Sequence, residues 1–174
     1  MSSKKTLFIT QGALIAALYI VLTYIANAIG LASGVIQFRI SEMLTVLPFF
    51  LPAAIPGVTI GCLLANILTG CIFYDVLFGT LATLFGAIGT WLIGKAAKKA
   101  SSEKSRIFRF ISPVPPILSN TLIVPWVLRI FYEMPDNIWY LSLTVFIGEA
   151  VCCGILGLIL LHILLSRKGS GILK

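Results

Sequence analysis

Charge is scarce in this chain. Only 11% of its 174 residues are Asp, Glu, Lys or Arg, 59% are hydrophobic, and the mean hydropathy is +1.05. A soluble domain carries about 25% charged residues, so an ordinary soluble fold is excluded. Histidine occurs once, at His162, and there are six acidic residues. Cys62, Cys71, Cys152 and Cys153 form no Cys-x-x-Cys pair and have no histidine at ligand spacing, so they read as small apolar packing residues. Without a Ser-His-Asp set or a metal cluster, an enzyme is not expected, nor is a metal or a cofactor. The stretch Gly89-Thr90-Trp91-Leu92-Ile93-Gly94-Lys95-Ala96 nearly spells a phosphate-binding loop. It ends in alanine where the magnesium-binding hydroxyl belongs, and it lies in an apolar helix with no strand before it. No Asn-x-Ser/Thr acceptor, repeat, low-complexity tract or extramembrane domain is evident, and residues 1–174 read as a single domain.

Long apolar runs fill the space that charge leaves. Runs of roughly 17–25 residues cross a bilayer as helices, because backbone groups in lipid must be satisfied internally. The sequence predicts an all-α integral membrane protein with six transmembrane helices, at about 6–29, 40–54, 57–72, 76–95, 110–131 and 138–165. Lys4 and Lys5 precede the first run as they would in a signal peptide. That run is too long for an h-region and closes on no small-x-small site, so it reads as the first helix. The second and third segments are short, and Pro48, Pro52 and Pro56 interrupt their hydrogen-bond ladders, which leaves room for a cavity. Lys4, Lys5, Lys95, Lys98, Lys99, Lys104, Arg106, Arg109, Arg167, Lys168 and Lys174 fall on one side of this topology, and only Arg39 and Arg129 on the other. The positive-inside rule then puts both termini and the charged loop 95–109 in the cytoplasm. The net charge of +7 is thus a topology signal, and no nucleic-acid partner is expected.

The few polar groups inside the apolar runs carry the functional signal. Glu42 opens the second segment and Asp75 lies at the junction of the third and fourth, while Asn66, Asn120 and Glu149 each sit about ten residues into a span, near the bilayer midplane. With Arg39, and with Arg129 nearer the outside, these groups are expected to converge in the external half of the bundle. Intramembrane carboxylates are costly and mostly functional. Interhelical hydrogen bonds and an Arg39–Glu42 pair three residues apart are the plainer alternative. Phe38, Phe49, Tyr74, Phe78, Trp126, Tyr132, Trp139 and Tyr140 lie in the same region, some as interfacial belt residues and others available to sandwich a ring. Carboxylates, amides and aromatic faces together suit a planar heterocycle with several N–H donors. Small residues form two further faces: Gly79, Thr83, Gly86, Thr90 and Gly94, read as internal packing, and Ala13-x-x-x-Ala17 beside Gly12 and Ala16, open to internal packing or to docking of another membrane protein.

The block Ile36-Gln37-Phe38-Arg39-Ile40-Ser41-Glu42, with Leu44 to Phe50, Pro52 to Gly57, Gly61-Cys62, Ala65-Asn66, Asp75-Val76, Phe78-Gly79, Leu81-Ala82-Thr83, Pro115-Pro116, Asn120 and Gly148-Glu149-Ala150, resembles the QueT family. The resemblance implies a substrate-binding S component of an energy-coupling factor transporter, a six-helix plasma-membrane protein. It would take a queuosine precursor, a deazaguanine base such as the aminomethyl precursor or queuine, from outside. Release inward would require a transmembrane coupling protein and two cytoplasmic ATPases. Gln37, Arg39, Glu42, Asn66, Asp75, Asn120 and Glu149 would bind the base, with Phe38, Tyr74, Phe78 and Trp126 as weaker aromatic lining, and Ala13 and Ala17 would dock the coupling protein. In this reading Glu42 or Glu149 accepts from the guanine-like edge and Asn120 or Asn66 donates to its carbonyl. Asp75 pairs with the cationic amine, Arg39 holds Glu42, and the loop 30–39 closes the mouth. An S component for another vitamin-like ring, a secondary carrier and a structural membrane subunit are the competing readings.

Overall fold

The computed structural model describes residues 3–31 and 36–169, and all regular structure among them is helical. Helix α1 spans Ser3–Ala28, a 3₁₀ helix spans Ile40–Phe49, and α2 spans Ala54–Leu68. Then come α3 (Phe73–Lys99), α4 (Ser102–Phe110), α5 (Val114–Ile130) and α6 (Ile138–Glu149), which runs through a π-helical stretch, Ala150–Leu156, into α7 (Gly157–Gly169). Four apolar helical stretches are long enough to cross a membrane: Ser3–Ala28, Phe73–Lys99, Ser102–Ile130 and Ile138–Ser166. Of the basic residues that set the expected topology, Lys174 and the side chains of Arg167 and Lys168 lie outside the described part, as do residues 32–35 of the loop expected to close the mouth.

The 3₁₀ helix is the central element. It packs against α1, α2, α3, α7 and the π-helical stretch, and eight of its ten residues are buried. The sequence predicts a helix from 40 to 54 here. The helix stops at Phe49, because Pro48 offers no amide and the segment 50–53 turns before α2 begins. A 3₁₀ helix rises ~2.0 Å per residue, so this one is about 20 Å long, and α2 at ~1.5 Å per residue is about as short. Runs of this length in 3₁₀ form are uncommon and frequently mark a functional site or a strained sequence. Its neighbour across the core is just as irregular: Gly157 lets the end of the π-helical stretch approach Val46 and Met43, and the Cys153 thiol lies 2.8 Å from Thr45 Oγ1.

The ridge of small residues on α3 is buried and serves internal packing. Gly86 faces Pro116 of α5, Gly94 faces the backbone of Phe49, and Thr90 donates to the Ser112 carbonyl at 2.9 Å. Another boundary differs from the sequence reading. The fifth predicted span is preceded by a separate helix, α4, so most of the segment 95–109, expected as a loop, is helical. Glu103 in the first turn of α4 and Arg109 in the last match its dipole, and Ile107 and Phe110 give it an apolar face.

A Cβ at residue 86 would lie 2.6 Å from Pro116 Cα, whereas one at residue 154 would meet only Ile117 Cδ1 at 3.7 Å. Gly86→Ala is therefore expected to lose about 1–3 kcal/mol of stability through overpacking of α3 on α5, and Gly154→Ala less than about 0.5 kcal/mol. Thermal unfolding of the two variants in detergent checks the contrast.

Candidate ligand site

At one end of the bundle the last turns of α1, α2 and α5 and the first turn of α3 enclose a chamber of about 420 Å³. Small-molecule sites run from about 300 to 1,000 Å³, so this one can hold a bicyclic ring. The end of α2 shapes one wall. Gly70 adopts φ +77°, and the amides of Gly70 and Cys71 fold back onto the Ile67 and Asn66 carbonyls, which turns Cys71 into the chamber. Of the residues expected from sequence, Gln37, Arg39, Asn66 and Asp75 line this space. Asn66 and Asp75 are almost fully buried, at 2% and 3% exposure. A glycine faces them: a Cβ at Gly79 would lie 3.3 Å from Asn66 Nδ2, 3.5 Å from Asp75 Oδ1 and 4.0 Å from Arg39 Nη1.

Beside the chamber lies a cleft of about 20 Å³, lined by Gln37, Arg39, Asn120, Val124, Val145 and Glu149. Gln37 and Arg39 belong to both spaces and form the partition between them. Gly148 sets the partition's position, because the Gln37 backbone packs where a side chain at 148 would stand. Glu42 lies beneath, 1% exposed, and lines neither space. It is close enough to Glu149 for the two charges to interact, and Asn120 reaches toward both.

The polar contacts correct one sequence-based pairing. Arg39 does not hold Glu42; its contact ion pair is with Asp75, Nη2 to Oδ2 at 3.6 Å, and its charge reaches Glu42 and Glu149 only at longer range. The reason is geometric: Arg39 sits just before the 3₁₀ helix and lines the chamber, while Glu42 is buried and lines neither space. The partner of Glu42 is Tyr19 of α1, whose hydroxyl donates to Oε1. Thr23, one turn further along α1, donates to Ser41 Oγ at 2.7 Å and so ties the same two elements together. Gly61 of α2 makes this possible, since a Cβ there would lie 2.7 Å from Tyr19 Cβ. On the other side Tyr132 donates to Asp75 Oδ2 at 3.2 Å. Burial first, and then the adjacent Asp75 carboxylate, push the Tyr132 phenol up to about 12, so it remains a donor at neutral pH.

One guanidinium thus serves three buried carboxylates. Glu42 Oε2, Asp75 Oδ1, Asn120 Nδ2, Thr121 Oγ1 and Glu149 Oε2 are buried without a well-formed hydrogen bond among the described residues, the Asn120 amide facing both glutamates without closing on either. Such atoms are rare in a folded protein and each costs about 1–3 kcal/mol, which makes the chamber and the cleft beside it the candidate site for a polar guest.

A family model described as QueT transporter matches residues 9–166. The chain belongs to the QueT family. It is 41% identical over 96 residues to the queuosine precursor transporter QueT of Lactococcus lactis subsp. cremoris (strain MG1363), a match covering 55% of this chain and 56% of that protein, so the alignment spans about half of the curated relative. No solved structure matches. As a QueT-family protein with four membrane-length helices, it is a multi-pass protein of the plasma membrane.

Not every residue expected to converge here lines the chamber or the cleft. Arg129 is exposed and donates to the carbonyls of Pro135 and Asp136, bracing the turn before α6. Phe38, Tyr74, Phe78 and Trp126 line neither space; Tyr74 and Phe78 stack on Phe131 instead, and Trp126 faces outward. Aromatic composition near a predicted mouth does not say which ring faces turn inward. The sequence reading passed over Tyr19, Thr23, Asn27, Thr69 and Met134, and it took Cys71 for packing and Tyr132 for a generic aromatic. Tyr19 and Thr23, polar residues one helical turn apart in the first apolar run, were the signal available for two of them.

Tyr19→Phe removes the donor to Glu42 and keeps the ring. The expected result is a loss of about 1–3 kcal/mol in unfolding free energy, the cost of leaving a buried acceptor unpaired. Unchanged thermal stability of the purified variant would show that the Tyr19–Glu42 bond contributes nothing.

Proposed function

We propose that this protein is the substrate-binding S component of an energy-coupling factor importer and that it binds a queuosine precursor, a deazaguanine base bearing a cationic amine. The match to a queuosine precursor transporter carries the ligand class. The charge arrangement supports it and suggests a binding mode that reverses the sequence-based one. Asp75 already has Arg39 and Tyr132, so its free Oδ1 is suited to accept an N–H from the ring edge in the chamber, with the Asn66 amide beside it. Glu42 and Glu149 have no contact ion pair among the described residues. They are the natural counter-ions for an ammonium, since a buried cation without a partner costs several kcal/mol. The cleft is too small for a ring. A site of about 20 Å³ admits one small group, given that a water needs roughly 10–15 Å³. In this mode the ring fills the chamber and its amine passes the Gln37–Arg39 partition to reach Glu149 and Asn120, with Glu42 supplying field from below.

The remaining parts of the reading follow from the two ends of the bundle. Lys95, Lys98 and Lys99 close α3 and Lys104, Arg106 and Arg109 lie on α4, whereas the chamber is at the start of α3, about 40 Å away along its 27 residues. The positive-inside rule puts the basic end in the cytoplasm and the chamber outside, with six spans and both termini inside. Ala13 and Ala17 are exposed and line an apolar groove of about 490 Å³ between α1 and α2, with Gly57 and Pro56 in its other wall. Small residues let helices approach closely, so this groove is where a transmembrane coupling protein would dock, with ATP hydrolysis belonging to two partner ATPases. The protein itself is then no enzyme.

Two measurements test the proposal. Glu149→Gln is expected to weaken binding of the aminomethyl base by about 2–5 kcal/mol and to change binding of a deazaguanine with a neutral substituent far less, whereas Asp75→Asn should weaken both alike. Equal losses for both ligands in Glu149→Gln would refute the assignment of the amine, and failure of the wild-type protein to bind either base would refute the ligand class. Ala13→Trp with Ala17→Trp should abolish co-purification of an energising module while leaving ligand retention, read by mass spectrometry, unchanged.

A further inference from the structure

A second pocket, of about 400 Å³, opens at the opposite end of the protein between α4 and α7. Its polar rim is Arg106 and Arg109 of α4 with His162 and Ser166 of α7, and Leu161 and Leu165 form part of its apolar wall. Neither arginine has an acidic side chain within ion-pair distance among the described residues. The surroundings are basic as well, with Lys98, Lys99 and Lys104 nearby in sequence and Glu103 the one acid in the stretch 95–109. Helix α4 itself is amphipathic, has no buried residue, and lies against α3 and α7. A short basic amphipathic helix such as α4, which joins the basic end of α3 to α5, is suited to lie in the headgroup layer with its apolar side chains toward the acyl region.

We propose that this pocket binds an anionic phospholipid, with Arg106 and Arg109 holding the phosphate and the Leu161–Leu165 wall receiving an acyl chain. Charge complementarity commits the site to this occupant. Two guanidiniums without acidic partners at the membrane surface are matched by a phosphate, and guanidinium is the group best shaped to bind phosphate through two parallel hydrogen bonds. Basic pockets between membrane helices on the cytoplasmic side take acidic headgroups, and the apolar wall adds a requirement for an acyl chain that a free anion cannot meet. The inference rests on the charge and shape of this pocket and on the proposed cytoplasmic position of the basic end, and it stands whether or not the chamber at the other end binds a deazaguanine.

The test uses the full-length protein in nanodiscs of phosphatidylcholine with or without phosphatidylglycerol, with bound lipid counted by native mass spectrometry. Wild type is expected to retain phosphatidylglycerol in preference to phosphatidylcholine. Arg106→Gln with Arg109→Gln should lower that retention on the order of thirtyfold, the effect of losing two basic contacts at a lipid surface. Lys98→Gln with Lys99→Gln, removing the same charge outside the pocket, should change it little, and Arg106→Lys with Arg109→Lys should keep most of it. Inorganic phosphate at millimolar concentration should not displace the lipid; displacement would make the site a free-anion site and overturn the lipid reading. Equal retention of the two lipids by wild type, or equal losses in the arginine and lysine double variants, would overturn it too. Unchanged lipid retention with lost co-purification of an energising module would assign the arginines to a protein partner instead. If the glutamine pair does not fold, each single glutamine variant should show an intermediate loss, and no loss in either sinks the proposal.

Discussion

A carboxylate inside an apolar bundle has to be held, and the hydroxyl of Tyr19 is what holds Glu42. Much of the local architecture follows from that bond. Tyr19 comes near because Gly61 lets α2 close on α1, and Glu42 points inward because the chain after Arg39 winds as a 3₁₀ helix through the middle of the bundle. The Thr45 hydroxyl and the Cys153 thiol then take up the Glu42 carbonyl, at 2.6 and 3.4 Å, so the π-helical stretch after Glu149 is fastened to the same residue. Glu42 and Glu149 thus stand in or beside the two least regular helical stretches among the described residues. Irregular backbone is tolerated at membrane depth where protein buries it, and eight of the ten residues of the 3₁₀ helix are buried.

Charge is distributed unevenly around that centre. Arg39 pairs with Asp75 in the chamber wall, and Glu42 and Glu149 have no contact cation among the described residues. Low dielectric strengthens any interaction these groups make and penalises each one that lacks a partner, so the arrangement favours a guest that brings donors and a positive charge. The basic end of the protein obeys the opposite logic. Its cations Lys95, Lys98, Lys99, Lys104, Arg106 and Arg109 are exposed, where solvation costs little, and none of them makes an ion pair among the described residues.

The sequence-based account succeeded where the signal was local. The four long helices, the membrane class, and the placing of Gln37, Arg39, Asn66 and Asp75 around one space, with Asn120 and Glu149 around the space beside it, were all legible from hydropathy and from the depth of rare polar groups. Pairing was not legible. Three-residue spacing suggested that Arg39 serves Glu42, an argument that holds for an exposed α-helix and fails when the arginine precedes a 3₁₀ segment and faces the chamber. Tyr19 looked like any aromatic in a span, and Tyr74, Phe78 and Trp126 looked like chamber walls, because composition does not record which face of a helix turns inward.

What the sequence alone determined is the solvent this protein lives in, the side on which its positive charge gathers, and the small set of polar residues that lipid would not tolerate without a purpose. These depend on the transfer energy of each residue, which is nearly additive along the chain. Tertiary structure decided which acid keeps the arginine and how a 3₁₀ and a π-helical segment meet at the centre. Those outcomes rest on close contacts between helices, where the absence of one Cβ at Gly61, Gly79 or Gly148 fixes which side chains can touch.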